Sequence, residues 1–414
     1  MARTYKVWNF VQEYSLLLII GAVSALIWAN TDYDSYHHLV EMVLIDHSPV
    51  GHLHDGHRTL TLHYLINDVL MALFFAMAGK EVWEAVILKN GSLRGRKALT
   101  PLIATAGGMF GPIGIYFLGA FLLGKFAVLA NGWAIPTATD IAFSYLVARI
   151  VFGARHPAVG FLLLLAIADD AAGLIILAIF YPQGDLAPQW LGLSVISAFA
   201  VYLLANRLPR MLDASRGDLH YTTIAQKLGF WPYLIAGCGS WYGFQQAGIH
   251  PALGLLPIVV TIPHADITFG MFDSKKLDQH DLLNDIEHKM KVPVEFILLL
   301  FGFANAGVAF SAIGEATWLV LAGLIIGKPV GIFLFGWLAA GPLGLGLPEG
   351  MRLNHLVVIG FIAAIGFTVS LFISAVAFGP GAVQDAAKMG ALFSFGAVGL
   401  SLLAGRVFKV EKHN

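Results

Sequence analysis

Long apolar runs separated by short polar segments recur along the whole chain. A membrane-spanning helix needs about 20 mostly apolar residues, and twelve runs meet or approach that length. These runs predict spans at residues 12–30, 62–88, 98–122, 132–152, 157–181, 189–207, 228–245, 249–262, 292–312, 315–340, 355–378 and 386–408. The run at 249–262 is the shortest. The first run continues to Trp28 without a small-residue cleavage site, so we expect a retained span rather than a signal peptide.

The amino-acid composition agrees with this pattern and excludes other classes of protein. Hydrophobic residues make up 57% of the 414 residues and charged residues 12%, which is about half the charged share of a soluble domain. The net charge is −1, so nucleic acid is not an expected partner, and the single cysteine, Cys238, excludes an intrachain disulfide. We predict one all-α polytopic membrane domain over residues 1–414, in contact with the lipid bilayer.

Lysine and arginine give the predicted spans an orientation, because cytoplasmic loops concentrate these residues. With a cytoplasmic N-terminus, most of the 25 lysines and arginines fall in cytoplasmic segments. The outer loops then hold only Arg58, Lys125 and Lys388, while Lys80 and Lys328 lie within spans. Moving a single span would destroy this alternation. We therefore expect twelve spans with both termini in the cytoplasm.

Two pairs of similar segments indicate an internal repeat. Span 3 contains GPIGIYF (Gly111–Phe117) and span 10 contains GKPVGIF (Gly327–Phe333). Each precedes a span interrupted around a threonine, AIPTATDIAF (Ala134–Phe143) and AAIGFTVSLF (Ala363–Phe372). Seven spans separate the members of each pair, so they cross in opposite directions, which is typical of an inverted-topology repeat. The predicted repeats are residues 98–181 and 315–408.

The predicted breaks place helix ends inside the membrane. Pro136 removes a backbone donor and favours a kink, and irregular backbone at that depth is tolerated only inside protein or beside a wet cavity. Half-helix N-termini carry about +0.5 charge and C-termini about −0.5. Asp140 follows the first break and could offset the positive ends, and Lys328 could offset the negative ends. The alternative for each break is an ordinary proline or glycine kink.

Four charged residues stand near the middle of predicted spans, namely Asp140, Asp169, Asp170 and Lys328. A charge at a helix centre costs at least ~2.5–3.5 kcal/mol, so such residues commonly mark ion pathways. Adjacent helical residues point about 100° apart, so one of the paired aspartates can face a cavity and the other a neighbouring helix. Two carboxylates that bind either protons or a hard cation such as Na⁺ suffice for cation/proton exchange. The alternative is a buried structural ion pair with Lys328.

Six motifs occur in order along nearly the whole chain, namely INDVLMALFF in span 2, GWAIPTATDIAF in span 4, LAIADDAAG in span 5, FGFANAGV in span 9, GLIIGKPVGI in span 10 and IGFTVSLFIS in span 11. Together they resemble the NhaA family of Na⁺/H⁺ antiporters. The resemblance implies twelve helices, with broken helices 4 and 11 crossing. It also implies exchange of Na⁺ or Li⁺ for H⁺ across a bacterial inner membrane, for pH and sodium homeostasis, without a cofactor.

The resemblance also implies roles for the charged residues. Asp170 would be the principal cation ligand, and Asp169 would exchange protons while paired with Lys328. Asp140 and Lys328 would offset the half-helix dipoles. The supporting residues would be Thr139 and Thr368.

A cytoplasmic pH response is a further expectation from the family. The segment GKEVWEAVILKN matches the family at Glu81 but lacks its following basic and acidic run, so the response is expected to be weaker or shifted. An interfacial pair at i,i+4 is the alternative for Lys80 and Glu84. His250 and Glu287 are the other candidates. For His250, a helix-start or packing role is the alternative.

The first outer loop, residues 31–61, leads into a histidine-rich run, HSPVGHLHDGHRTLTLH, from His47 to His63. Such tracts can bind Zn²⁺ or Ni²⁺. No fixed ligand spacing recurs, so we expect a solvated loop. The family resemblance offers a β-hairpin here that helps to hold a homodimer.

Two other classes of function compete with antiport. An intramembrane enzyme would need a second Asp-rich motif or a Gly-x-Gly-Asp motif, and the sequence contains neither. A sodium-coupled solute symporter of related fold would need a polar cavity that recognises an organic substrate. The sequence shows no obvious cluster of that kind, and the symporter stands as the alternative to antiport.

Overall fold

The computed structural model describes residues 16–54, 56–87, 91–93, 95–213, 228–263 and 282–412. The strands are β1 (Val43–Ile45), β2 (His52–His54) and β3 (His57–Thr61). The helices are α1 (Leu16–Thr31), α2 (Tyr33–Val40), α3 (Leu62–Ile87), α4 (Leu99–Leu122), α5 (Phe126–Thr137), α6 (Ile141–Phe152), α7 (Pro157–Phe180), α8 (Pro188–Arg207), α9 (Leu208–Asp213), α10 (Trp231–Ala247), α11 (Leu256–Val259), α12 (Leu282–Asn305), α13 (Glu315–Ala340), α14 (Leu353–Ala363), α15 (Phe367–Ala377) and α16 (Ala382–Val407).

The chain divides into two compact units, each of which has its own buried apolar core. The first unit comprises residues 1–36, 92–176 and 305–414, and the second comprises residues 37–91 and 177–304. In the first unit the four residues Ile362 to Ile365 are fully buried. The core of the second unit is a cluster of apolar side chains from α8, α10 and the segment around α11, formed by Val201, Ala205, Tyr233, Ile258 and Ile262.

Six helices within the described residues are long and apolar enough to cross a membrane, namely α3, α4, α7, α8, α13 and α16. The pairs α5/α6 and α14/α15 each bend by 53° at a short break, and counting each pair as one span gives up to eight. Large apolar side chains face outward, with Phe121 72% exposed and Ile179 65% exposed. Extensive apolar surface of this kind is unusual on a soluble monomer. The chain is therefore a mostly α-helical, multi-pass membrane protein.

Helices of spanning length match only part of the predicted set of twelve spans. α1 is apolar but has 16 residues, and residues 12–15 of the first predicted span lie outside the described residues. The predicted span 249–262 contains two short helical turns, Pro251–Leu253 and α11. Each turn has a proline in its first two positions, where a missing backbone N–H is tolerated. These prolines divide a run that hydrophobicity alone shows as continuous.

Helices α4 and α13 of the first unit pack with their backbones in contact. A Cβ atom on Gly331 would lie 1.9 Å from the carbonyl oxygen of Gly107, and a Cβ atom on Gly111 would lie 2.2 Å from that of Gly327. Only glycine, which lacks a Cβ, permits this approach. A π-helical turn of α13 ends at Gly327, and Lys328 follows it. This backbone contact therefore also fixes the position from which the Lys328 side chain projects.

The three strands of the second unit form a small antiparallel sheet in the order β1-β3-β2. β2 and β3 pair through His52 with Thr59 and His54 with His57, and the register between β1 and β3 shifts at a bulge. A hydrogen bond from Ser48 N to Arg58 O, 2.8 Å long, ties the segment after β1 to β3. The histidine-rich run therefore contains two of the three strands, β2 and β3, and forms a hairpin where we expected a solvated loop.

Candidate ion-binding site

The breaks in the two bent helix pairs of the first unit, α5/α6 and α14/α15, lie against each other. The segment Ala138–Asp140 joins α5 to α6, and the segment Ala364–Gly366 joins α14 to α15. Asp140 N donates to Ile365 O across 2.7 Å, and Thr139 Oγ1 donates to Ala363 O across 3.1 Å. Backbone groups freed by one break are thus satisfied by the other, as buried irregular backbone requires.

Two serines join the bent helices in a matching way. Ser144 is the fourth residue of α6, and its Oγ donates to Ile362 O of α14 across 3.0 Å. Ser370 is the fourth residue of α15, and its Oγ donates to Ile135 O of α5 across 2.7 Å. Each hydroxyl therefore donates to a carbonyl near the C-terminal end of the other pair's first helix, and Ile362 O accepts the backbone N–H of Ile365 as well.

Asp140 serves the N-termini of two helices at once. Its Oδ1 accepts the backbone N–H of Phe143 at 3.2 Å, which makes Asp140 the N-cap of α6. Its Oδ2 accepts the backbone N–H of Thr368 at 3.2 Å and also the Thr368 hydroxyl, at the start of α15. A carboxylate between two helix N-termini is favoured by both macrodipoles, and only 5% of Asp140 is exposed.

Asp169, in the middle of α7, meets Lys328 and Thr139 in the protein interior. Lys328 Nζ lies 3.0 Å from Asp169 Oδ2, and Thr139 Oγ1 donates to the same oxygen across 2.6 Å. The other oxygen, Oδ1, is buried and accepts no hydrogen bond from any described residue. A buried carboxylate oxygen in this state can take a proton or an oxygen-seeking cation.

Lys328 is fully buried and also contacts the first break. Its Nζ donates to Thr137 O across 2.5 Å, and Thr137 is the last residue of α5. The ammonium therefore lies at the negative end of one half-helix and beside one carboxylate of the aspartate pair. Both contacts reduce the cost of burying this charge.

Asp170 differs from its neighbour in exposure. It is half-buried, whereas only 3% of Asp169 is exposed. Its negative charge also acts on Lys328. Two adjacent carboxylates on one helix thus have different surroundings, because successive side chains point about 100° apart.

The residues predicted for a pH response belong to the second unit. Lys80 Nζ lies 2.9 Å from Glu84 Oε2, as the i,i+4 spacing predicts, and both side chains are almost fully buried. Glu81, next in the chain, is half-buried. His250 is buried and its Nδ1 accepts the backbone N–H of Ala252 at 3.3 Å, in the manner of a helix-start residue. The backbone of Glu287 is in α12, and its side chain lies outside the described residues.

Sequence reasoning did not single out Ser144, Ser370 or Asp68. The two serines could have been found by aligning the breaks, since Asp140 set against Gly366 also sets Ser144 against Ser370. Asp68 lies in INDVLMALFF, a carboxylate within an apolar span, and it is buried with its Oδ1 3.7 Å from His250 Nδ1. A charged residue within a predicted span was the signal by which Asp68 could have been found.

Known proteins are similar to this chain over nearly its whole length. The model of the family described as Na⁺/H⁺ antiporter 1 matches residues 7–405. The protein called Na(+)/H(+) antiporter NhaA from Jannaschia sp. (strain CCS1) is 70% identical over 99% of both chains. The protein of the same name from Desulfitobacterium hafniense (strain DSM 10664 / DCB-2) is 45% identical over 100% of this chain and 98% of its own. The resemblance seen in the motifs is thereby confirmed, and the chain belongs to the Na⁺/H⁺ antiporter 1 family.

Proposed function

We propose that this protein exchanges Na⁺ or Li⁺ for H⁺ across the bacterial inner membrane, for pH and sodium homeostasis. The observation that carries the proposal is the buried Asp169, whose Oδ1 accepts no hydrogen bond from a described residue while its Oδ2 is held by Lys328 and Thr139. The names of the relatives support antiport and give no support to a solute symporter. The family is named for transport, and no catalytic role or cofactor is proposed.

In this proposal Asp170 is the principal ligand of the transported cation. A carboxyl group that loses its proton can accept Na⁺ on the same oxygens, and a bound cation in turn excludes the proton. The half-buried position of Asp170 suits this role, since an ion must reach the ligand from water. Thr139 and Thr368 support the site through their hydrogen bonds to Asp169 and Asp140.

Asp169 exchanges a proton in concert with Lys328. When Asp169 takes up a proton on its unbonded Oδ1, the ammonium 3.0 Å from Oδ2 loses its counter-charge. A buried, unpaired charge is costly, so protonation of Asp169 favours movement or deprotonation of Lys328. The ion pair thereby links proton uptake to rearrangement at the breaks.

Asp140 and Lys328 offset the partial charges of the half-helices. The carboxylate of Asp140 accepts hydrogen bonds at the N-terminal ends of α6 and α15. Lys328 donates to Thr137 O at the C-terminal end of α5. Each placement is the one that the helix dipole favours, and together they allow the two breaks to be buried.

We also propose that a single transporter domain over residues 1–414 has twelve spans, with inverted repeats at residues 98–181 and 315–408 and both termini in the cytoplasm. The equal 53° bends and the matching hydrogen bonds of Ser144 and Ser370 support the repeat. The outer loop of residues 31–61, which contains β1, β2 and β3, is the surface proposed for a homodimer, as the family resemblance suggests.

A pH response through Glu81, Glu84, His250 and Glu287 is the last part of the proposal. The buried ion pair of Lys80 with Glu84 supports a position that is sensitive to proton binding, because loss of either charge would strand the other. His250, near Asp68, offers a second such position.

A proton-gradient assay in everted vesicles or proteoliposomes tests the exchange. Addition of Na⁺ or Li⁺ should dissipate an imposed pH gradient with the natural protein, and Asp170→Asn should abolish that response because an amide cannot release a proton or carry the ligand charge. Asp185→Asn, the same change at an exposed aspartate after α7, should leave the response intact. An Asp170→Asn protein as active as the natural one would refute the assignment.

A further inference from the structure

Three side chains with metal-binding atoms meet beside the small sheet of the second unit. Asp46, His47 and His57 each offer one ligand atom, and these atoms all lie within 4.8 Å of one another. His57 Nε2 lies 3.2 Å from Asp46 Oδ1, and His47 Nε2 lies 3.9 Å from Asp46 Oδ2. No other group of three such ligands occurs among the residues that the structure describes.

The sheet brings these three residues together from separate parts of the sequence. Asp46 follows the last residue of β1, and His57 is the first residue of β3, the strand that pairs with β1. The backbone of His47 is left-handed, with φ +52°, and its N–H donates to Asp46 Oδ1 across 2.9 Å. Histidine is among the non-glycine residues that adopt this conformation more often than most, and here it accompanies stacking of the His47 ring on His57.

The two imidazoles and the carboxylate are accessible from water. The His47 and His57 rings stack with centroids 4.2 Å apart and an angle of 28° between planes. The side chains of His47, Asp46 and His57 are 73%, 59% and 32% exposed. Neighbouring His52 is engaged elsewhere, since its ring packs edge-on against Tyr64 at 4.9 Å. The cluster is thus a surface group that can rearrange around an ion.

We propose that Asp46, His47 and His57 form a binding site for a divalent transition-metal ion of the Zn²⁺, Ni²⁺ or Cu²⁺ class. Imidazole nitrogen suits these ions, whereas Na⁺ and Mg²⁺ prefer oxygen ligands. Tetrahedral bonds of about 2.0–2.1 Å place ligand atoms roughly 3.3 Å apart. The present atoms lie within 4.8 Å of one another, so the exposed side chains have to turn and bring them closer by up to about 1.5 Å. Water completes the coordination. The site is separate in its residues and in its chemistry from the aspartates of the first unit.

The bound ion would tie the end of β1 to the start of β3. Two of its ligands precede the turn region around β2 and the third opens β3. An ion that binds only the folded sheet stabilises it by mass action. Zinc should therefore raise the unfolding temperature of the protein as well as bind to it.

Calorimetric titration of the purified, untagged full-length protein with Zn²⁺ tests the site. The natural protein should bind one more equivalent of Zn²⁺ than a His47→Asn, His57→Ala variant, or should bind that equivalent at least ~10-fold more tightly, since even loss of an indirect partner of a metal ligand costs about 10–100-fold. Asparagine is chosen at position 47 because it tolerates the left-handed backbone. Cu²⁺ bound to the natural protein should show nitrogen hyperfine coupling in its paramagnetic resonance spectrum, and the variant should lose the coupling that belongs to this site.

His38→Ala is the matched control, because it removes an exposed imidazole from α2 without touching the cluster. It should bind Zn²⁺ as the natural protein does. Asp46→Asn provides a second variant of nearly unchanged shape, should the double variant fail to fold, and it should also weaken binding. Equal affinity, stoichiometry and Cu²⁺ spectra for the natural protein and the cluster variants would overturn the proposal, as would a natural protein that binds no Zn²⁺.

Discussion

The two bent helix pairs of the first unit have the same geometry but different charge. Each bends by 53°, and each sends a serine hydroxyl to a carbonyl of the other. The N-cap of α6 is the carboxylate Asp140, whereas the corresponding N-cap of α15 is Gly366, which has no side chain. One carboxylate therefore serves both helix N-termini.

Space explains why the second break has no acid of its own. A Cβ atom on Gly366 would lie 2.6 Å from Ser370 Oγ and 2.9 Å from Ala138 O, so a larger residue would force the crossing apart. The C-terminal ends differ as well, because Thr137 O receives the ammonium of Lys328 and Ala363 O receives the Thr139 hydroxyl. The backbone is nearly symmetric, but the charged partners gather at the first break, where Asp140 caps α6 and Lys328 joins Thr137 O to Asp169.

Lys328→Ala should have the largest effect on stability, a loss of about 3–5 kcal/mol, because it leaves Asp169 buried without its counter-charge and removes the donor to Thr137 O. Thermal or denaturant unfolding of the purified protein in detergent measures the loss. It should be greater than that caused by any change confined to the second break.

Adding Asp169→Asn to the Lys328→Ala protein provides the control. The double variant has no stranded carboxylate, so it should recover part of the lost stability. An unchanged unfolding temperature in Lys328→Ala would show that the ion pair contributes nothing, and the first break would then not depend on the charge beside it.

Asp140→Ala should cost about 2–3 kcal/mol, since it removes capping hydrogen bonds from two helices and not from one. A single cap contributes about 0.5–2 kcal/mol. Asp140→Asn, which keeps one oxygen acceptor, should fall between the natural protein and the alanine variant in unfolding experiments. If Asp140→Ala costs no more than an ordinary single cap, the carboxylate does not serve both breaks.

Sequence reasoning reached the parts of this arrangement that are local. Pro136 and the similar segments interrupted around a threonine mark spans 132–152 and 355–378, where the bends occur, and Asp140 follows the first break directly. Apolar runs also predicted the long helices, because a membrane span leaves a signal about 20 residues long. Family membership followed from motifs spread along nearly the whole chain.

Contacts between segments that are distant in the sequence could not be predicted in this way. The bond of Asp140 to the backbone of Thr368 joins residues in different helices, and no pattern in either segment indicates it. The close packing of Gly107 on Gly331 depends likewise on how two helices meet. The run at 249–262 contains two short turns and no continuous helix, because its prolines are local signals that the hydrophobic pattern alone does not register.

The smallest expected effect gives the sharpest test of equivalence between the two breaks. Ser144→Ala and Ser370→Ala each remove one buried hydroxyl donor from a carbonyl of the other pair, and each should cost about 1 kcal/mol. Because the two hydrogen bonds occupy matching positions, the two losses should agree within about 0.5 kcal/mol, and the double variant should show their sum if the sites act independently.

Ser401→Ala in α16, which removes a hydroxyl bonded within its own helix, is the control and should cost less than either. A large loss for one serine with none for the other would mean that the matching bends conceal unequal packing, and that the asymmetry extends beyond charge.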